Sequence, residues 1–332
     1  MQLPKKEATV ESTEALKSFY EEVGNALLAK GLTPLATGGI ACVAYKLAQK
    51  TKDCDIIIPV DQAHRVLEHI ATTTFHGAPP HYALNYGAPL DSRWLAGGWS
   101  SHTFFGDAEN TEARLDIFGL PPRVKNPRPD EKRFYLSRDG VAAMKKTQRD
   151  KDWPFVSILG MKMLVQDNPR GFLHLFDEQE LLKEMKIRTP SAELIAERPV
   201  LELARIKSPN LLKYLKAERD FWQTLDRLRL DTYKAAWVPY RKAVEALPEL
   251  RHAPLLTQHA QLVALAQTLL PKAPLAGKHA QLIQQAKAVV VATYNAVDAN
   301  LLPNPILIAD EDDAGDAATT ARPAKPVSPA DL

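Results

Sequence analysis

Thr37-Gly38-Gly39, followed by Lys52-Asp53-Cys54-Asp55-Ile56-Ile57-Ile58-Pro59, is the stretch from which the fold is read. Gly38 and Gly39 permit a tight turn and close approach of a ligand to the backbone. Ile40, Val43, Ala44 and Leu47 then recur at helical spacing, predicting a helix with one buried face that runs to Lys50. Asp53 and Asp55 stand two apart at the start of an apolar strand, so they share a face while Cys54 and Ile56 turn to the packed side. Two carboxylates held that close repel each other unless a cation sits between them, and hard oxygen donors suit magnesium with its phosphate ligands. The helix N-terminus after the glycines suits phosphate. A glycine pair alone is usually only a turn, and an isolated Asp-x-Asp is a weak motif. The order of turn, amphipathic helix, acid pair and apolar run carries the reading.

A third carboxylate comes from Arg114-Leu115-Asp116-Ile117-Phe118-Gly119, a strand with Asp116 on the face opposite Leu115 and Ile117. Ser101 to Gly106 reads as its hairpin partner, with Asp107 to Glu112 as a polar loop. If that hairpin lies beside the Asp55 strand, Asp116 joins the same site, where it would bind the catalytic ion and help deprotonate an attacking hydroxyl. Otherwise Asp116 is a solvated acid on an edge strand.

These three elements resemble the signatures of the DNA polymerase beta-like nucleotidyltransferase superfamily. Thr51-Lys52-Asp53-Cys54-Asp55 and the helix Ser157 to Met163 are similar to the abortive-infection and type IV toxin-antitoxin kind. The resemblance covers the first half of the chain. It implies an α/β (α+β) catalytic domain with a mixed sheet, two Mg2+ ions as cofactor and an NTP as co-substrate. It further implies that Asp53, Asp55 and Asp116 are catalytic metal ligands and that Gly38, Gly39, Thr51, Lys52 and Lys162 meet the nucleotide. For Lys162 a helix lysine covering apolar surface is the competing reading. Arg170 and Asp177 stand further apart than the family's Arg and acid. The implied activity is transfer of a nucleoside monophosphate to a hydroxyl, on an RNA or tRNA end or a protein side chain, with an antitoxin-like protein as partner. The alternatives are a small-molecule, antibiotic-type acceptor and a non-catalytic nucleotide-binding or interaction protein of the same fold.

Composition sets bounds. The 332 residues are 45% hydrophobic and 25% charged with net charge +2, which suits a soluble globular chain. Neither an 18-residue apolar run nor a charged-then-apolar leader is present, so no membrane contact and a cytoplasmic location are expected. Cys42 and Cys54 read as small buried side chains.

Three segments are expected: a nucleotidyltransferase domain over 1–150, a helical domain over 151–302 and a disordered acidic tail over 303–332. In the first, helices are predicted over 13–30 and Asp61 to Thr73, and 75–100 suits loops and short antiparallel strands. Trp94 and Trp99 read as core or rim residues, with stacking on a base or sugar as the alternative. In the second, helices are predicted over Phe155–Gln166, Phe172–Met185, Pro209–Leu228, Thr232–Leu247, Pro254–Leu270 and Lys278–Leu301. His259 and His279, in a repeated His-Ala-Gln-Leu, read as helix-surface residues. Arg205 to Arg251 holds eleven Lys or Arg against six acids, a helix face that is either solvated or meets RNA phosphates. From Asp310 onward six acids face two basic residues, with too few apolar side chains to fold.

Overall fold

A computed structural model describes residues 10–84, 87–106, 111–130 and 134–305; side chains at 10–13 and 111–112 also lie outside the description. The tail from Asp310 and most of the loop after Gly106 fall outside the described residues.

Strands β1 (Leu35–Thr37), β2 (Cys54–Ile57), β3 (Pro80–Tyr82), β4 (Ser100–Gly106) and β5 (Thr111–Phe118) form one mixed sheet in the order β1-β2-β5-β4-β3. β2 and β5 are parallel, and the other neighbours are antiparallel. The alternation read from the sequence holds: Cys54, Ile56, Leu115 and Ile117 are buried. Helix α1 (Val10–Ala29) covers that face. There Phe19 meets Phe105 edge-on at 4.9 Å, and the Tyr20 hydroxyl accepts from the Arg114 N–H at 3.0 Å. Beyond β1 the chain adds a bordering segment: the Ala36 N–H donates to Phe134 O at 2.7 Å and the Leu136 N–H to Ala36 O at 2.9 Å.

After the glycines α2 (Gly38–Ala44) stops short of the expected Lys50, because Lys46 adopts φ 58°. Helix α3 (Ala63–Ala71) buries Val66, Leu67 and Ile70, as its spacing predicts. The segment 75–100 holds β3 and α4 (Ser92–Leu95). Its tryptophans are core, not stacking platforms: Trp94 Nε1 donates to Leu270 O at 3.2 Å and Trp99 Nε1 to Pro271 O at 2.8 Å.

The rest of the described chain is helical: α5 (Arg138–Met144), α6 (Trp153–Val165), α7 (Glu178–Ile187), α8 (Ala192–Glu197), α9 (Val200–Arg205), α10 (Leu211–Glu245), α11 (Leu255–Leu269) and α12 (His279–Thr293). Three expectations fail here for identifiable reasons. The helix expected from Phe172 is a 3-10 turn over Pro169–His174, after which Asp177 caps α7 through the Glu180 N–H. Arg198 Nη1 binds the carbonyls of Phe172 and Leu175 at 2.6 and 2.7 Å, which turns them away from a helical ladder. The two helices expected over 209–247 are one, α10, of 35 residues. Nothing between Leu228 and Thr232 breaks a helix, and the inward stripe continues through Leu225, Arg229, Tyr233, Trp237, Tyr240 and Val244. The last expected helix ends at Thr293, because Ala296 takes φ 57°.

Buried apolar side chains form one cluster from Leu16 to Leu302. Where the helices meet the sheet, the contacts are polar and specific. The Tyr82 N–H on β3 donates to Gln258 Oε1 at 2.8 Å, and Gln258 Nε2 donates to Leu250 O at 2.8 Å. His259, expected on the surface, is half-buried with Nδ1 at 2.8 Å from the Tyr82 hydroxyl. Tyr233 donates to Gly97 O at 2.8 Å, and a Cβ at Gly97 would lie 1.8 Å from Lys272 O. Gly97→Ala is therefore expected to lower stability by about 1–3 kcal/mol through overpacking against backbone, measured by urea unfolding.

Candidate functional site

Strand register assembles the site. Thr37 on β1 pairs with Asp55 on β2, Asp55 with Asp116 on β5, and Asp116 with His102 on β4. Paired residues project to the same side of a sheet, so one polar row crosses four strands on the face away from α1. Asp116 thus lies beside Asp55 rather than on a solvated edge.

The glycine turn presses on this row. Gly38 has φ 62°, and a Cβ there would come within 1.7 Å of Asp55 Oδ2. A Cβ on Gly39 would lie 2.5 Å from Thr51 Oγ1 and 3.7 Å from Asp53 Oδ1. At Gly38 only glycine fits, since the backbone is left-handed and a side chain would meet Asp55. Thr51 is buried and donates to Asp53 O at 2.8 Å, which fixes the approach to β2. Lys52 is exposed next to it. The Thr37 hydroxyl turns to Met144 Sδ at 3.4 Å and does not cap α2.

The acids differ in their compensation. Asp55 accepts no side-chain hydrogen bond from the described residues, and its carboxyl is pushed up to about 7. Burial is the main cause, followed by the charges of Asp116 and Asp53. The positive charges of Lys145 and Arg149 oppose the shift. Asp116 is held below the usual carboxylate range. Burial works against that, but His102 Nδ1 at 2.6 Å and Arg114 Nε at 2.8 Å outweigh it. His102 Nε2 in turn lies 2.8 Å from Ser100 Oγ.

Lys145 is positioned by Asp152. Its Nζ donates to Asp152 Oδ1 at 3.1 Å, while Thr147 Oγ1 and Arg149 Nε donate to Oδ2 at 2.7 and 2.8 Å. Lys145, Arg149, His102 and Arg114 were not anticipated from the sequence. The charge run Lys145-Lys146-Thr147-Gln148-Arg149-Asp150-Lys151-Asp152 was the available signal for the first two. Lys162, expected at the nucleotide, instead lines a shallow cavity of about 290 Å³ with Tyr45, Arg138, Ile158, Met161 and Val165. Arg170 pairs with Asp139 and Glu197, and Asp177 is a helix cap, so neither joins the acids. In the basic stretch of α10, Arg219 pairs with Asp150, Arg229 with Asp226 and Arg241 with Glu245, a mixed-charge face.

Cys42 and Cys54 are buried free thiols as expected. Burial pushes Cys42 up to about 11 and raises Cys54 well above its usual range, so neither is a ready nucleophile. No helix among the described residues is long and apolar enough to cross a membrane.

Among the described residues no group of three or more His, Cys, Asp or Glu side chains is arranged to hold a metal ion. The donor chemistry nonetheless fits magnesium: Asp53 and Asp55 offer hard oxygens, and Asp55 is half-buried with no hydrogen bond from the described residues to compensate its charge. Comparison with family profiles, with curated proteins and with solved structures returned no match.

Proposed function

We propose that the chain is a nucleotidyltransferase that moves a nucleoside monophosphate from an NTP to an acceptor hydroxyl on an RNA end or a protein side chain. The observation that carries this reading is the row Thr37, Asp55, Asp116, His102 lying against the Gly38 turn. An enzyme of this class needs clustered carboxylates beside a backbone turn that tolerates phosphate, with cations close by.

Asp53 and Asp55 would hold magnesium, which supplies charge neutralisation for the triphosphate and for the carboxylates themselves. The Gly38-Gly39 backbone cradles the phosphates. Lys145 and Arg149, tied to Asp152, place positive charge beside Asp55 where negative charge accumulates on the leaving pyrophosphate. Asp116, fixed by His102 and Arg114, orients the acceptor hydroxyl and accepts its proton as oxygen attacks the α-phosphorus in line. The P–O bond to the β-phosphate breaks, and pyrophosphate leaves.

The test is incubation with each α-labelled NTP, magnesium, and total RNA or total cell protein. Label is expected in one of the two fractions. Lys145→Met is expected to reduce labelling about 10²-fold, as removal of a transition-state charge partner does, while Lys162→Met leaves it near normal. Equal loss in both variants would overturn the assignment of Lys145. The engagement of Asp116 by Arg114 favours a second reading, a nucleotide-binding protein without transfer. Magnesium-dependent NTP binding, abolished by Asp53→Ala with Asp55→Ala but accompanied by no labelling of either fraction, would support it.

A further inference from the structure

A larger cavity, of about 510 Å³, lies on the other side of α5 from the acids. Its lining contains none of Gly38, Asp53, Asp55 or Asp116, and it takes in Gly140 and Ala143 of α5. The consecutive lysines after α5 divide between the two places. Lys145 reaches Asp152 beside the acids, whereas Lys146 donates to Leu173 O at 3.0 Å in the cavity wall and lies over the Trp222 ring at 4.7 Å.

Charge and unmet bonding both point to a ligand. Six Lys or Arg side chains line the cavity against three acids, Asp139, Glu197 and Glu218. Lys125 and Arg128 are exposed at its edge, while Lys146 and Arg198 are buried in its floor. His174 is only 2% exposed. Its Nε2 lies 2.8 Å from Asp139 Oδ1, and its Nδ1 is buried with no hydrogen-bond partner. Burial lowers this imidazole to about 4, and the Asp139 carboxylate opposite Nε2 fixes the one proton of the neutral ring there, which leaves Nδ1 a bare acceptor. A bare acceptor in a cationic cavity calls for a ligand that carries both a hydroxyl and negative charge. The volume falls within the range of small-molecule sites, on the order of 300–1,000 Å³.

We propose that this cavity is a second ligand site, separate from the acid row, which takes a phosphorylated sugar or nucleotide without magnesium. The phosphate meets the exposed Lys125 and Arg128 side chains at the edge, and a sugar hydroxyl donates to His174 Nδ1.

The test is calorimetric titration of the full chain in EDTA with ribose 5-phosphate, ADP and inorganic phosphate. Ribose 5-phosphate or ADP is expected to bind, and inorganic phosphate more weakly, because only an ester carries a sugar hydroxyl that can reach Nδ1 while its phosphate stays with the basic side chains. Arg128→Glu changes an exposed residue and is expected to weaken binding about tenfold, the equivalent of 1.4 kcal/mol. Asp53→Asn with Asp55→Asn should leave it unchanged. Absence of binding in EDTA, binding indifferent to Arg128→Glu, loss of binding in the double Asp variant, or inorganic phosphate binding as tightly as the ester would each overturn the proposal. Because the magnesium-dependent labelling assay probes the other side of α5, failure here leaves the transferase reading standing, and the reverse also holds.

Discussion

Asp55→Asn is expected to abolish nucleotidyl transfer and, in the same protein, to raise stability in EDTA at pH 8. The loss follows because Asp55 is the central acid of the row; a drop of about 10³-fold is the scale for removing such a group. The gain follows from its carboxyl being pushed up to about 7, against an ordinary value of 3.8. An acid raised in the folded state holds a proton that the unfolded chain has already released. Stability from this group is therefore full below about 4 and is lost as pH rises towards 7. Above that, the folded protein carries an ionised carboxylate pressed between Asp53 and Asp116. Asparagine removes the charge and should return on the order of 2 kcal/mol at pH 8, the shift being discounted for solvent screening at a half-buried group. Urea melts of both proteins at pH 5 and pH 8 in EDTA measure it: the variant should exceed wild type at pH 8, and the difference between them should shrink at pH 5. A variant less stable than wild type at pH 8 would show that Asp55 is not strained by its neighbours.

The second large effect lies away from the acids. Glu218→Ala should destabilise by about 3–5 kcal/mol, because it strands a buried guanidinium. The side chains of Arg198 and Glu218 are 2% and 1% exposed, with Nε at 3.0 Å from both carboxylate oxygens. Arg198→Met with Glu218→Leu should be milder than Glu218→Ala alone. It should still fall short of wild type, since the Phe172 and Leu175 carbonyls lose their donor. Chemical denaturation of the three proteins decides this, and a double variant worse than the single would overturn the account.

The same ion pair explains part of what the sequence conceals. A helix from Phe172 is a fair expectation from apolar spacing, but it fails because a guanidinium more than twenty residues downstream claims two of its carbonyls. The acid row was legible for the opposite reason. Strand alternation is local: it put Asp53 and Asp55 on one face and Asp116 opposite Leu115 and Ile117, while the pairing of Asp55 with Asp116 came only with the register of β2 and β5. The cations that act on Asp55 were not legible in this way. Lys145 and Lys162 both follow the sheet on or beside helices, and only packing of α5 against the β1–α2 corner brings Lys145 towards the acids. His102 was obscured too, since its role depends on pairing with Asp116 across β4 and β5.

Gln258 gives the fold a property that concerns the chain's behaviour in a crowded solution. β3 is an outer strand, and its Tyr82 N–H is taken by a side chain carried on α11, more than 170 residues later. The opposite margin at Ala36 is bordered by Phe134 and Leu136. An outer strand with vacant N–H groups recruits other strands and seeds aggregation. The helical half therefore also shields the sheet, and an amino-terminal piece cut before α11 would present an adhesive β3 margin to its own copies.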